Sequence, residues 1–290
     1  MGRIDRMEQI PFPTCRSEKS SVLWVREAKG RKLLSSRRPE VSCHPVTLFN
    51  VLCPMRILAL ETSGRGGSVA LLHTEATGAV ADAIVLQERL LDATERPAKT
   101  LHPCVKSLLD EQLWRPRDVE LICVAVGPGS FTGLRIGVVA AKTLAYATGA
   151  KLAAIPTLAA IAEGVGPIAA GERLWTVLDA QRQELFVASF GEDDDLADGS
   201  TAGVQIMPAS EWLAKLSRGD VVAGPPIEKL LARLSPSVVL ASPGAWNPAA
   251  ASVGRLGYRM AQRGRLADPL ALLPFYCRQS AAEEKAAAKG

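Results

Sequence analysis

Histidine is nearly absent from this 290-residue chain, which carries only His44, His73 and His102. None lies within an H-E-x-x-H or H-x-x-E-H pattern, and no G-x-S-x-G is present, so the common zinc-hydrolase and nucleophile-elbow arrangements lack their residues. His102 precedes Pro103 at an expected helix start and reads as a surface residue rather than a general base. The six cysteines, Cys15, Cys43, Cys53, Cys104, Cys123 and Cys277, include no C-x-x-C pair, which excludes a zinc knuckle and a thioredoxin-like motif. Cys104 and Cys123 sit in apolar patterns and read as small core residues, as expected of a protein in a reducing cytoplasm. No apolar run approaches the ~18 residues of a membrane span, so a soluble, cytoplasmic protein is expected.

Excess charge of one sign is confined to one end. Residues 1–54 contain ten of the 34 basic and five of the 30 acidic residues, leaving 24 basic and 25 acidic residues from Met55 onward. The body therefore has no overall surplus with which to grip nucleic acid. Residues 1–54 show neither a helical nor a strand period and no apolar signal region. They are expected to stand outside the fold, as a disordered basic tail or as residues upstream of a true start at Met55.

What is present is an alternation of strands and helices. Arg56 to Glu61, Ser68 to His73 and Val80 to Leu86 read as strands, with Gly64 to Gly67 turning between the first two. Thr100 to Leu113 reads as a helix capped by Thr100, with Pro103 in its first turn and Leu101, Val105 and Leu108 on one face. Val119 to Val126 reads as a buried strand, Arg135 to Thr148 as a helix, Lys151 to Ile155 as a strand, and a further helix starts after Pro156. Strands from Leu174 to Ala180 and Glu184 to Phe190 open a second lobe. It continues with a helix near Ala209 to Leu216, strand Val221 to Ala223, helix Ile227 to Leu234, strand Val238 to Ala241 and a last helix from about Pro248 to Gln262. The acidic run Glu192 to Asp195 reads as a solvated loop. The pattern predicts an α/β fold of mixed sheets flanked by helices.

The most informative segment is Gly127-Pro128-Gly129-Ser130-Phe131-Thr132-Gly133-Leu134-Arg135-Ile136-Gly137. It joins the buried strand to the next helix. A glycine-dense turn at a helix N-terminus presents backbone N–H groups to an anion or lets the chain approach a neighbour closely. A tight crossover turn explains the same residues. Together with Met55 to Ser63 upstream, this segment resembles the bacterial TsaB family of tRNA threonylcarbamoyladenosine biosynthesis proteins. Further points agree in order and spacing: Thr100 to Pro103, Ile155-Pro156-Thr157-Leu158, Leu178-Asp179-Ala180 with Arg182 and Glu184, and Pro274 to Arg278. The resemblance covers Met55 to about Arg278 and thins between about Gly191 and Asp268.

The resemblance implies a two-lobed actin-like ATPase fold with a glycoprotease-like domain over 55–156 and a smaller lobe over 157–290, the last helix packing back toward the first lobe. It implies a non-catalytic subunit that pairs with the catalytic relative TsaD in placing threonylcarbamoyl on adenosine 37 of tRNA. A TsaE-like ATPase would be a further partner, a homodimer would form in isolation, and tRNA would be met only through the complex. The family motif residues are Gly127, Pro128, Gly129, Ser130, Phe131, Thr132, Gly133 and Arg135. TsaD carries an H-x-x-x-H pair after its Ile-Pro turn; the matching positions here are Ala159 and Glu163, and a histidine before the preceding helix is replaced by Pro97. Neither a metal nor a catalytic group is therefore expected. Glu61-Thr62-Ser63-Gly64 keeps the acid and hydroxyls of a phosphate-binding hairpin in altered order, so no intrinsic cofactor is expected, with ATP or ADP left to a partner interface. The competing assignment is an ATP-dependent kinase or acyl transferase on the same fold.

From the residues alone, the helix after the glycine turn is apolar round most of its circumference, with Gly137, Ala140, Ala141 and Ala145 among Leu134, Val138 and Val139. Such a helix is buried on two sides or docks to a partner. The family pairs through this helix and the one before it. The expected interface is Leu101, Val105, Leu108, Leu134, Val138, Ala141 and Ala145.

Overall fold

The computed structural model describes residues 55–64, 66–74 and 83–278. The expectations for residues 1–54, for Val80 to Asp82 and for Arg65 in the first turn lie outside them. The described strands are Arg56–Glu61 (β1), Ser68–His73 (β2), Ile84–Leu90 (β3), Leu121–Gly127 (β4), Lys151–Pro156 (β5), Leu174–Asp179 (β6), Glu184–Phe190 (β7), Gln205–Pro208 (β8), Val221–Ala223 (β9) and Val239–Leu240 (β10). The α-helices are Pro97–Glu111 (α1), Phe131–Thr148 (α2), Thr157–Val165 (α3), Ala209–Lys215 (α4), Ile227–Leu230 (α5) and Ala250–Gln262 (α6).

These strands form two five-stranded sheets, ordered β3-β2-β1-β4-β5 and β10-β9-β6-β7-β8. In the first, β1 to β3 pair antiparallel and β1, β4 and β5 pair parallel. The second repeats this: β6 to β8 are antiparallel, and β6, β9 and β10 are parallel. Strand for strand the two lobes have one topology, a duplication with no visible trace in the sequence.

The parallel strands β4 and β5 are buried along nearly their whole length because helices cover both faces of their sheet. On one face, α1 and α2 enclose Leu58, Leu60, Val69, Leu71, Ile122 and Val124. On the other, α6 lies over Ile57, Ala59, Leu72, Leu121 and Cys123 with Val253 and Leu256. α6 thus follows the second lobe's last strand yet packs on the first sheet, as the family resemblance implied. α3 makes the reverse crossing. Its Leu158, Ile161 and Ala162 enter the second core, whereas Ala159 and Ala160 stay in the first.

Several boundaries differ from expectation. α1 starts at Pro97 with Arg96 as N-cap, so Pro103 falls inside the helix rather than in its first turn. A proline at the first helical position loses no bond and has φ already set, which outweighs Thr100 as a start signal. α2 starts at Phe131 because the Ser130 side chain caps it, accepting from the Gly133 N–H at 3.3 Å. β3 runs through Glu88 and Arg89 to Leu90. As an edge strand it can carry both charges, and Arg89 reaches Glu111 of α1 at 2.9 Å while Glu88 accepts from the Ala251 N–H of α6 at 3.2 Å. β8 was not foreseen; four residues ending in proline give no alternation to read. The helix expected to Leu234 stops at Leu230 and continues as a 3-10 turn over Leu231–Arg233. The acidic loop is exposed over Glu192 to Asp194, as expected, but Asp195 pairs with Arg263 and Arg265.

Candidate functional site

The glycine motif closes on the chain's own first turn. Gly127 has φ +128, and its peptide bond to Pro128 is cis. A Cβ on Gly133 would stand 1.9 Å from the Thr62 carbonyl oxygen, and one on Gly137 would stand 2.2 Å from Thr62 Oγ1. Only glycine lets α2 lie so close to the β1 end. Three donors there find acceptors within the chain. The Ser130 N–H donates to the Ser63 carbonyl at 2.7 Å, Thr62 Oγ1 donates to the Gly133 carbonyl at 2.8 Å, and the Leu134 N–H donates to Ser130 O at 2.8 Å. Of the two uses the sequence leaves open, close approach is the one this geometry displays.

At the end of β1, Glu61 is 1% exposed and accepts from the Ser63 N–H at 2.6 Å and from the Ser63 hydroxyl. Burial pushes its carboxyl up to about 7, against the weaker opposing pull of the Ser63 and Gly64 donors. The motif's outer residues face the C-terminal segment. The Phe131 and Tyr276 rings are 4.6 Å apart, Arg135 lies 4.3 Å over Phe131, and Arg135 Nε donates to Tyr276 Oη at 3.2 Å.

At the positions matching the TsaD metal ligands, Ala159 is 4% exposed and Glu163 forms a two-pronged ion pair with Arg259 of α6. The guanidinium occupies that carboxylate, and alanine offers no ligand. Pro97 opens α1.

The seven residues expected at a partner interface require correction. Leu101, Val105, Leu108, Leu134, Val138, Ala141 and Ala145 are all between 0% and 6% exposed, and all but Leu134 belong to the core between α1, α2 and the first sheet. Their side chains are consumed within the chain, because the small residues let α2 sink onto β4. The outward arc of α2 consists instead of Thr132, Arg135, Val139, Thr143 and Tyr146, spaced three and four residues apart, with Val139 60% and Tyr146 80% exposed. Arg135 and the two threonines could have marked this solvent arc in the sequence, since Val139 and Tyr146 share their helical face.

A second concentration of chemistry surrounds the β6–β7 turn. Gln181, Arg182 and Gln183 have φ values of +66, +55 and +64. Three successive left-handed non-glycine residues cost roughly 1–2 kcal/mol each. The turn is pinned by Gln181 N–H donating to Asp179 Oδ1 at 2.8 Å and by Ala180 N–H donating to Glu184 O at 3.0 Å. Arg278 also donates to the Ala180 carbonyl at 2.9 Å and pairs with the Glu184 carboxylate. Two stretches shared with the family, about 95 residues apart, meet here. Beside the turn is a cavity of about 250 Å³ lined by Arg182, Gln183, Glu184, Ser210 and Arg233.

Two sheets of one topology, exchanging their last helices, with the β1–β2 turn under a glycine-rich helix start, define a two-lobed α/β protein of mixed sheets flanked by helices. The family model for TsaD, tRNA N6-adenosine threonylcarbamoyltransferase, matches residues 92–233. The chain is 30% identical over 173 residues to the tRNA threonylcarbamoyladenosine biosynthesis protein TsaB of Bacillus subtilis (strain 168), covering 57% of this chain and 68% of that one. It is 30% identical over 141 residues to TsaB of Escherichia coli (strain K12), covering 49% of this chain and 57% of that one. Among solved structures, YeaZ from Pseudomonas aeruginosa is 25% identical with a TM-score of 0.61, covering 77% of this chain and 99% of that one. The chain belongs to the TsaB family of tRNA threonylcarbamoyladenosine biosynthesis proteins. No helix among the described residues is long and apolar enough to cross a membrane.

Proposed function

We propose that this chain is a non-catalytic subunit that pairs with a TsaD-like protein and holds it in its active shape for threonylcarbamoylation of adenosine 37 in tRNA. The observation that carries the proposal is the outward arc of α2, where Val139 and Tyr146 stand exposed on a helix whose other faces are used by its own sheet. The stretch matching the TsaD model includes α1 and α2, so a TsaD-like partner offers equivalent helices to that arc. Two related helix pairs can then meet about a pseudo-twofold axis, as identical surfaces do in a symmetric dimer. The non-catalytic reading is supported by the glycine turn, where the Ser130 and Gly133 N–H groups bond within the chain, and by Glu163, whose carboxylate serves Arg259. A homodimer in isolation would use the same arc. A TsaE-like ATPase, and ATP or ADP at the interface, belong to the same proposal.

The test is pairing with the co-expressed TsaD-like protein on size exclusion. Val139→Asp combined with Tyr146→Asp places two charges on the arc without touching the core, so a lone chain of unchanged circular dichroism and at least tenfold weaker pairing are expected. Normal pairing by this variant would remove α2 from the interface. ATP turnover by the purified chain alone would favour the kinase or transferase alternative.

A further inference from the structure

Beside α2 runs the segment that follows α6. Lys142 of α2 donates to the Leu270 and Leu272 carbonyls at 3.3 and 2.8 Å, and Arg135 Nε donates to Tyr276 Oη at 3.2 Å. These bonds lay Leu270 to Tyr276 along the helix as a strap running antiparallel to it. Leu272 packs against the α1–α2 core, whereas Leu270 and Leu273 are 77% and 74% exposed and Tyr276 is 38% exposed. We infer that this strap is the second half of the docking surface. Its occupant is the helix of the TsaD-like partner that corresponds to α2, which covers Leu270, Leu273 and Tyr276 together with Val139 and Tyr146. The inference deepens the reading given under Proposed function and rests on it.

The arc of α2 is too small to hold a partner alone. From Thr132 to Tyr146 it is a strip about 21 Å long and about 10 Å wide, roughly 200 Å². A stable interface covers about 800 Å² on each partner. The surface must therefore extend past α2, and its two flanks differ. Outward on α1 stand the ion pairs Lys99–Glu95 and Lys106–Asp110. The strap presents leucine and tyrosine instead. Large apolar side chains gathered on a surface mark contact with another molecule, and tyrosine and arginine are enriched in such contacts. Arg135 and Tyr276, bonded to each other, join the arc to the strap.

The matched stretch names the occupant. α2 lies within residues 92–233, which match the TsaD model, and the strap lies outside them. A TsaD-like partner therefore brings a helix corresponding to α2. Packed helices commonly cross at about 50°, so a helix seated on the arc runs off its side within a few turns and passes over the flanking segment. Main-chain bonds hold the strap ready for it. The Ala267 N–H donates to the Leu152 carbonyl at 2.8 Å and the Phe275 N–H to the Val126 carbonyl at 2.7 Å. A surface already ordered loses little freedom on binding.

The experiment measures the affinity of the full chain for the separately purified TsaD-like protein by titration calorimetry. Leu270→Ser with Leu273→Ser removes apolar surface without adding charge, and the bonds that anchor the strap come from main-chain atoms. The lone variant should keep the circular dichroism and urea midpoint of the parent while its affinity for the partner falls at least fivefold. Leu270→Asp with Leu273→Asp should weaken pairing further. Should the serine variant lose stability, Leu270→Ser and Leu273→Ser made singly each carry the test, with a loss of at least twofold expected. Affinity unchanged in these variants would overturn the inference. If pairing is at the same time lost in Val139→Asp with Tyr146→Asp, the α2 reading survives and the strap alone is excluded. Weaker self-association of the lone chain, with partner affinity unaltered, would also overturn it and assign the strap to a second copy. A parent chain that does not bind the TsaD-like protein fails at the reading under Proposed function, and the strap's occupant falls with it.

Discussion

Glu61 shows how far one residue's environment departs from its sequence context. An acid followed by two hydroxyls at a strand end suggests a ligand-facing group, yet the side chain is buried, with its carboxyl raised from 4.5 to about 7. A raised folded-state value means that the folded protein binds the proton more tightly than the unfolded chain does. The contribution to stability is fully present below about pH 4.5 and is lost as the pH rises through about 7, amounting to roughly 3 kcal/mol across that window. Glu61→Gln removes the ionisable group while keeping an oxygen for the Ser63 donors. The variant should melt at a higher temperature than the parent at pH 8 and similarly at pH 4.5. Parallel melting curves for the two proteins from pH 4.5 to 8 would show that Glu61 is not the source. The sequence displayed the acid and its neighbours; it could not display the burial, which depends on distant chain: Ser68, opposite Glu61 on β2, accepts from the Ala250 N–H of α6, 182 positions further on.

At the level of single elements, the strand–turn–helix around the glycine motif was readable because buried β-branched runs, glycine turns and caps are local signals. What escaped was which arc of α2 faces outward. A helix apolar round most of its circumference does not announce its buried side, and the long-range approach of Thr62 to Gly133 and Gly137 decides it. Val138 and Val139 are adjacent in sequence, yet one is 1% and the other 60% exposed. Val138→Asp is therefore expected to lower stability by roughly 4 kcal/mol or more, through lost apolar burial and a carboxyl without a partner among Leu58, Val124 and Leu108. Urea denaturation of the lone chain should show a large fall in midpoint. A midpoint near that of the parent would return Val138 to the surface and restore it as an interface residue. The weak signals of β8 and the 3-10 turn at Arg233 hid the cavity beside the β6–β7 turn for a related reason, since short edge elements carry too little periodicity to place their side chains.

Across the whole molecule, the two lobes are joined by exchanged helices and by the chain after α6. This segment crosses the open edge of β5, where the Ala267 N–H donates to the Leu152 carbonyl at 2.8 Å, and Lys142 donates to the Leu272 carbonyl at 2.8 Å. At the bulge between β4 and β5, the Phe275 N–H supplies a donor to the Val126 carbonyl at 2.7 Å. The segment then reaches the second lobe, where Arg278 grips the β6–β7 turn. It thereby links the glycine motif of one lobe to the arginine-bearing turn of the other, a connection only hinted at by two family-like stretches far apart in sequence. Ending the chain after Leu266 removes these bonds at about 1 kcal/mol each and uncovers the core beside Leu272. The truncated protein should retain both sheets but lose roughly 3 kcal/mol of stability in urea, and the amides of Gln181 to Glu184 should exchange with solvent faster than in the parent. The location of the effect separates this view from simple loss of a surface tail. A fall in midpoint without faster exchange at that turn would confine the segment's role to the first lobe, whereas both changes together are expected of a tie between the lobes.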